Sequence, residues 1–361
     1  MTEPPGSLGR IGFGCYRIAE GVAAHRRALD RALRDGCTLI DTSTNYTDGA
    51  SERLVGAGLA DLEAQDPAAR RRVVVVSKIG YVQGANLELA IERERAGRPF
   101  PEMVHYMDGC WHCIHPEFLA DQLTRSLERL RLRRLDVCLL HNPEYFLSDA
   151  AHQRADTRES RDEFYHRVTA AFAHLEEEVR AGRIGAYGVS SNSLVVPSDD
   201  PEATSLTRFL HAAGTAGGRE HHFRVLQLPM NLFEPGAALE RNTGADGSLT
   251  PLEAAAAARI PVLANRPLNA ILDGRLLRLA DGHPATAAVN GAIDPLLPDD
   301  RRGATLSQKA IAVIGSAPGM SSVLVGMRRE AYVDDALPVG GWPAIPDPLA
   351  VLRRCRELVS G

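Results

Sequence analysis

The sequence predicts an α/β fold, a (β/α)8 TIM barrel formed as a single domain over residues 1–361. Three observations predict it. Short β-rich runs alternate with helical stretches, which implies parallel strands joined by helical crossovers. Eight such runs are present, the number that closes a barrel of this kind. The runs also end in polar residues, as expected where a barrel gathers its chemistry at the C-terminal ends of its strands. The alternation alone leaves an open, doubly wound sheet as the alternative.

The expected strands are Ile11–Tyr16, Thr38–Ser43, Val73–Ile79, Val137–Asn142, Ala186–Ser191, Val225–Asn231, Pro261–Pro267 and Ser321–Met327. The helical stretches between them carry apolar stripes at helical spacing. His25–Arg34 places Ala28, Leu29, Ala32 and Leu33 on one face. Phe118–Leu132 repeats Leu119, Leu123, Leu127 and Leu130, and Phe164–Arg180 carries Val168, Phe172, Leu175 and Val179. Leu306–Ile314 and Ala331–Leu337 flank the eighth strand, and a last helical stretch near Leu349–Leu358 follows a proline-rich tail. Long loops follow strands three, six and seven: Gly80–His115, Leu232–Thr250 and Asn269–Thr305. Because they follow strands, all three belong to the face where barrel active sites form, and loops of that length are commonly lids or binding segments.

Composition excludes several classes. A formal net charge of −5 provides no basic field for a nucleic acid or an anionic membrane. Apolar runs such as Val73–Val76 fall far short of the ~20 residues of a membrane helix. The first residues, MTEPPGSLGR, lack an apolar signal core. Six cysteines in a chain of 361 residues are too few for a disulfide scaffold, and Cys37 and Cys138, beside apolar runs, read as buried thiols. The expectation is a cytoplasmic protein acting on a small molecule, with neither nucleic acid nor membrane as partner; oligomeric state is open.

The strand ends carry the chemistry. Strand two ends in Asp41, with Tyr46 five residues on; strand three ends Ser77-Lys78; strand four ends His141-Asn142. Strand five ends Ser190-Ser191-Asn192, and strand six carries Gln227 and then Asn231. An acid, a phenol, an amine and an imidazole thus converge on one mouth. Reduction of a ketone needs a hydride and a proton, and a phenol is a weak acid near pH 10. A nearby ammonium favours phenolate and lowers that pKa. A carboxylate keeps the ammonium charged and in place, and an imidazole can donate a hydrogen bond to the carbonyl oxygen where negative charge develops. No metal is required. A lone Asp or Lys at a strand end is more often a cap or a salt bridge; four complementary groups on one rim are harder to explain structurally.

At these residues the sequence resembles the aldo-keto reductases. The likeness rests on Leu39-Ile40-Asp41-Thr42-Ser43-Thr44-Asn45-Tyr46, then Gly49-Ala50-Ser51-Glu52 and Val55-Gly56. It continues through Ser77-Lys78, Leu140-His141-Asn142-Pro143, Gly188-Val189-Ser190-Ser191-Asn192 and Gln227, over roughly Ile11 to Leu337. The resemblance implies that Tyr46 is the general acid in reduction and the base in oxidation, tuned by Lys78 and Asp41, with His141 orienting the carbonyl. It implies Ser190, Ser191, Asn192 and Gln227 around a nicotinamide carboxamide, Gly12, Gly14 and Cys15 at the end of the first strand, and Tyr16 and Asn142 in the substrate pocket. Asn265-Arg266-Pro267-Leu268 stands where many members carry a run whose tyrosine stacks on the nicotinamide, so that ring is absent. Gly326, Arg328 and Arg329 fall on the adenosine-phosphate segment, and a guanidinium there matches a 2′-phosphate. Ala336 and Tyr332 stand at positions where polar contacts to adenine are common, and Val-Leu-Val-Gly-Met is similar to sugar dehydrogenases that use NAD. The implied cofactor is NADPH, with NADH as the second choice. The same likeness leaves room for a cofactor-binding regulatory subunit, or for an isomerase or lyase that retains its cofactor.

Cys110-Trp111-His112-Cys113-Ile114-His115 contains C-x-x-C and two histidines. It has no distant second ligand pair, and it precedes Pro116 rather than a thioredoxin-like helix, so neither zinc nor redox chemistry is expected. The segment reads as a pocket cover, with Tyr106, Trp111 and His112 shaping a mixed polar and aromatic substrate site for a sugar-like or polycyclic carbonyl.

Overall fold

A computed structural model describes residues 8–244, 247–272, 275–279 and 285–360. Its eight barrel strands are β1 (Ile11–Gly14), β2 (Leu39–Asp41), β3 (Val74–Ile79), β4 (Leu135–His141), β5 (Ile184–Ser190), β6 (Phe223–Pro229), β7 (Val262–Asn265) and β8 (Ser322–Val325). Every pairing around the ring is parallel, and β1 pairs with both β2 and β8, so the sheet closes without an edge. That closure rules out the open doubly wound sheet.

Successive side chains on a strand face opposite ways, and this parity organises the molecule into two apolar layers. Leu39, Val74, Val76, Val137, Leu139, Val225, Leu263 and Leu324 form one buried cluster, the barrel interior. Their neighbours Ile40, Val75, Cys138, Leu140 and Leu226 belong to a second, larger cluster shared with the helices. Continuing each inward column by two residues gives Asp41, Lys78, His141, Gln227 and Asn265. The apolar interior therefore ends upward in a polar rim. Gly188 is required within this packing: a Cβ there would stand 1.8 Å from the Val225 carbonyl oxygen.

The helix Ala23–Arg34 buries the expected stripe, and Pro116–Leu130, Thr157–Arg180, Leu306–Ser316, Glu330–Ala336 and Pro348–Ser360 fill the other expected positions. Local chemistry starts them: Pro116 opens its helix, the Asp156 side chain caps the next, and Thr305 with Gln308 forms a capping box. Ala50–Gln65, Leu206–Gly217 and Pro251–Ala258 complete the ring.

Apart from β3, which ends at Ile79 as expected, the strands stop one or two residues before the ends the sequence suggests, because the chain turns into the mouth there. Thr42 N and Thr44 N still bond to the Val76 and Lys78 carbonyls, but outside the ladder. The long loops are also more ordered than expected. Residues 80–115 build an antiparallel sheet from Tyr81–Val82, Cys110–His112 and Val104–Met107, with a helix at Ala85–Arg95. The segment after β7 folds into a hairpin, Asn269–Leu272 against Arg275–Arg278, and a helix at Ala285–Ile293; the residues 273–274 and 280–284 of that loop lie outside the described residues. Among the described residues, no helix is long and apolar enough to cross a membrane.

Candidate active site

Asp41, Lys78 and His141 stand at the inner tops of β2, β3 and β4, and Tyr46 begins a short turn, Tyr46–Gly49, just beyond β2. Lys78 Nζ donates to Asp41 Oδ1 at 2.5 Å and to the Thr42 carbonyl at 2.8 Å. Gln227 Nε2 donates to the other carboxylate oxygen at 2.7 Å, and Ser190 Oγ donates to Gln227 Oε1 at 3.0 Å. The ammonium lies 5.0 Å from the centroid of the Tyr46 ring. The ring in turn meets Tyr16 and His141 edge-on, at 5.2 and 5.8 Å between centroids. The backbone passes through the left-handed region at Thr47 and Asp48, immediately after the tyrosine. This strained turn is held by Thr47 Oγ1 donating to the Ile18 carbonyl (2.8 Å) and by Ala85 N donating to Asp48 Oδ1 (3.0 Å).

The electrostatics differ in one respect from the expectation that the lysine lowers the phenol. Burial, followed by the Asp41 carboxylate, holds the Tyr46 pKa well above its ordinary value. The physical reason is that Lys78 is already matched by Asp41 and makes no hydrogen bond to the phenol. Tyr46 therefore keeps its proton and is a donor. His141 is driven well below the ordinary histidine value, by burial first and then by the charge of Lys78, so its ring is neutral. His141 Nδ1 sits 3.0 Å from Ser43 Oγ.

Above these groups lies a cavity of about 1000 Å³. Asp41, Tyr46 and His141 line it, together with Gly14, Cys15, Tyr16, Asn142, Asn192, Asn265, Arg266, Pro267, Leu268, Gly326 and Arg328. Other residues expected at the site are placed elsewhere. Lys78 has no exposed side-chain surface and acts from beneath. Ser190 and Gln227 are buried in the rim network, and Ser191 bonds to Ser193 and Thr204 behind it. Arg329 is exposed outside the lining. Trp111 and His112 do not shape the pocket surface. Trp111 packs edge-on to His105, and His112 is buried, donating from Nε2 to the His141 carbonyl at 2.8 Å and stacking on Tyr145.

Tyr81 and Tyr145 take the place on the cavity wall that sequence reasoning gave to Trp111 and His112. Tyr81 lies 4.7 Å edge-on to the His141 ring, and Asn142 Nδ2 donates to its hydroxyl at 2.8 Å. Both positions were within reach of the sequence, since Tyr81 follows the lysine strand by one glycine and Tyr145 opens the helix just after the histidine strand. Arg17, Arg278 and Tyr332 also line the cavity. Arg278 sits 5.5 Å over the Tyr332 ring, at the end that carries Arg328, and no local sequence signal brings a hairpin residue there. Cys110 and Cys113 part company: Gln83 Nε2 donates to Cys110 Sγ, while Cys113 is buried with its thiol on the Pro101 carbonyl. Among the described residues, no group of three or more His, Cys, Asp or Glu could hold a metal ion.

The cavity suits an extended, polar, anionic ligand beside the chemical groups. Asn265 Oδ1 and Arg266 Nε are buried without a hydrogen-bond partner, and both residues line it; buried polar groups are ordinarily paired, so a ligand in the cavity could complete them. Arg266 is itself held at a φ of 53°. The arginines Arg17, Arg278 and Arg328 give the lining an excess of positive charge, since Asp41 is paired with Lys78 and Arg266 with Glu234 at 3.6 Å. A dinucleotide, with phosphates for the guanidinia and a carboxamide for Asn192 and Asn265, fits this set.

A family model described as the Aldo/keto reductase family matches residues 10–196, just over half of the chain. Among curated proteins, the NADH-specific methylglyoxal reductase of Escherichia coli (strain K12) is 30% identical over 144 residues. That match takes in 37% of this chain and 38% of the relative, so the chain spans about two fifths of the relative's length. Among solved structures, a glycerol dehydrogenase from Gluconobacter oxydans superposes with a TM-score of 0.61 at 20% identity, covering 99% of this chain and 94% of that one. An aldo/keto reductase from Klebsiella pneumoniae in complex with NADP and acetate gives 0.58 at 23% identity, covering 96% and 90%. These structural likenesses concern the fold.

Proposed function

The chain belongs to the aldo/keto reductase family, and from that premise we propose that it reduces an aldehyde or ketone with NAD(P)H, Tyr46 carrying the proton. The observation that carries this reading is a phenol on the wall of a large cavity, 5.8 Å edge-on to an imidazole and underlain by a buried ammonium–carboxylate pair. A bound nicotinamide supplies the hydride. Tyr46 gives its proton to the carbonyl oxygen as negative charge develops there, a contribution of roughly 10²–10⁴ in rate for a positioned acid. The Lys78 ammonium, 5.0 Å from the ring centroid, is the cation beside the phenolate that remains, its charge largely offset by Asp41. Asp41 holds Lys78 in place, and Gln227 holds Asp41. In the oxidative direction the same phenolate is the base.

Arg328, Arg278 and Tyr332 at one end of the cavity favour NADPH, since guanidinia pair well with a 2′-phosphate. NADH is the second reading, favoured by the NADH-specific relative. That relative also makes methylglyoxal the first carbonyl to assay. The test is a fluorescence titration of wild type and Arg328→Ala with both cofactors, followed by turnover of methylglyoxal and of an aldose panel. Tight NADPH binding that falls about tenfold in the variant, toward NADH strength, supports the assignment. Equal or better NADH binding moves the protein to NADH. Binding of neither cofactor overturns the reading, and binding without turnover of any carbonyl supports a regulatory subunit instead.

A further inference from the structure

Residues 80–115 leave β3 and return to start the helix Pro116–Leu130, and on the way they take hold of the end of β4. His112 is 1% exposed, and its Nε2 lies 2.8 Å from the main-chain carbonyl oxygen of His141, the last residue of that strand. A carbonyl only accepts, so the proton in this bond belongs to His112 Nε2. Burial pushes the His112 pKa down to about 4, so the ring is neutral at neutral pH and its one proton is the one given to His141. Gly80 packs against the same bond: a Cβ there would stand 2.5 Å from the His141 oxygen and 2.6 Å from His112 Nε2. Only glycine lets the chain pass so close. The small sheet pairs Tyr81 directly with His112, and Tyr81 meets the His141 ring edge-on at 4.7 Å. Asn142, which follows His141 at a φ of 48°, is bonded through its side chain to the Tyr81 hydroxyl at 2.8 Å. The segment thus holds the main chain of His141, its ring and the residue after it.

We propose that His112 is a positioning residue: its bond to the His141 carbonyl fixes the end of β4 and, with Tyr81 against the ring, aims the His141 imidazole at the carbonyl substrate. The substrate half of this rests on the reductase reading above, in which the carbonyl is reduced beside Tyr46 and His141. His112 does not line the cavity, so it acts through His141 and touches neither substrate nor cofactor. Residues 80–115 then have two tasks. Tyr81 and Gln83 give the cavity part of its wall, and His112 braces the imidazole from behind.

The test compares His112→Phe, which keeps a ring and loses the donor, with His112→Gln, whose amide N–H reaches about as far as Nε2. Should His112→Phe not fold, His112→Asn, too short to reach the carbonyl, takes its place. In His112→Phe, kcat/KM for methylglyoxal should fall about tenfold, and in His112→Gln it should recover to within about threefold of wild type, as for one oriented hydrogen bond. NADPH affinity, read by fluorescence titration, should be unchanged in both. Made in a His141→Gln background, His112→Phe should cost nothing further, because no imidazole is left to aim. Wild-type kcat/KM in His112→Phe, a Gln variant no better than Phe, or a loss that persists without His141 overturns the proposal. A second arm needs no turnover. In protein labelled in tyrosine and histidine, the nuclear Overhauser contact between the Tyr81 and His141 rings should be present in wild type and His112→Gln and lost in His112→Phe. A contact of wild-type strength in His112→Phe overturns the proposal. If wild type turns over no carbonyl, the reductase reading fails, and the ring contact still decides whether His112 sets the place of His141.

Discussion

Lys78 is a charged side chain with no exposed surface, and Asp41, its partner, is 5% exposed. Burying such a pair is costly, and removing one member leaves the other uncompensated. Asp41→Asn should therefore lose about 3–5 kcal/mol in urea unfolding, and adding Lys78→Met should restore part of that loss. A double variant no more stable than Asp41→Asn would contradict the account. These residues were legible in the sequence for a physical reason. A lysine that follows a run of four valines and a serine, and a histidine that ends Val-Cys-Leu-Leu, are costly to place within an apolar layer, so they stand at its end. The contact between Ser43 and His141 was not legible: Ser43 is near in sequence to Asp41 but meets a residue 98 positions away.

Elements explain what the strand ends alone do not. Glu144 lies between β4 and the helix Tyr145–His152, and its Oε1 accepts from Asn192 N at 2.6 Å, tying the loops after β4 and β5 together. Its other oxygen is buried without a partner, and burial raises the carboxyl from 4.5 to about 7. The folded chain thus holds this proton to higher pH than the unfolded chain does. Between pH 4.5 and about 7 the native state binds more protons, so stability falls as pH rises, and the loss is complete above about 7. Glu144→Gln, which keeps the acceptor for Asn192, should remove that loss, on the order of 3 kcal/mol. The measurement is unfolding free energy at about pH 5 and about pH 8; an equal pH dependence in both proteins would refute the assignment. At this scale the sequence revealed the barrel strands and the amphipathic helices, because their periodicity is strong. It did not reveal the small sheet within residues 80–115 or the hairpin after β7. Their strands are two to four residues long, too short for a period to register.

The whole molecule is closed twice, once by the ring of strands and once by the end of the chain. Ser322 Oγ donates to the Gly9 carbonyl, and Arg10 Nη1 donates to the carbonyls of Gly340 and Trp342, joining the first strand to the tail. The last helix, Pro348–Ser360, packs on Ala285–Ile293 and Leu306–Ser316, and Val351, Leu352 and Cys355 are fully buried there. These contacts place the tail over the outer helical layer beside β7 and β8. Leu352→Ala should then cost about 2–5 kcal/mol of stability through lost burial and a residual cavity, with kcat unchanged at a temperature where the variant is folded. A stability within about 0.5 kcal/mol of wild type would show that the helix is dispensable to the core.

The central claim is that Tyr46 supplies the proton. Turnover of a reducible carbonyl and binding of NADPH and NADH should be measured on the same preparations of wild type and Tyr46→Phe. The account predicts that the variant binds cofactor with wild-type affinity and loses turnover by roughly 10²–10⁴. A variant that keeps wild-type turnover would contradict it, and the proton would then have to come from another group on the cavity floor.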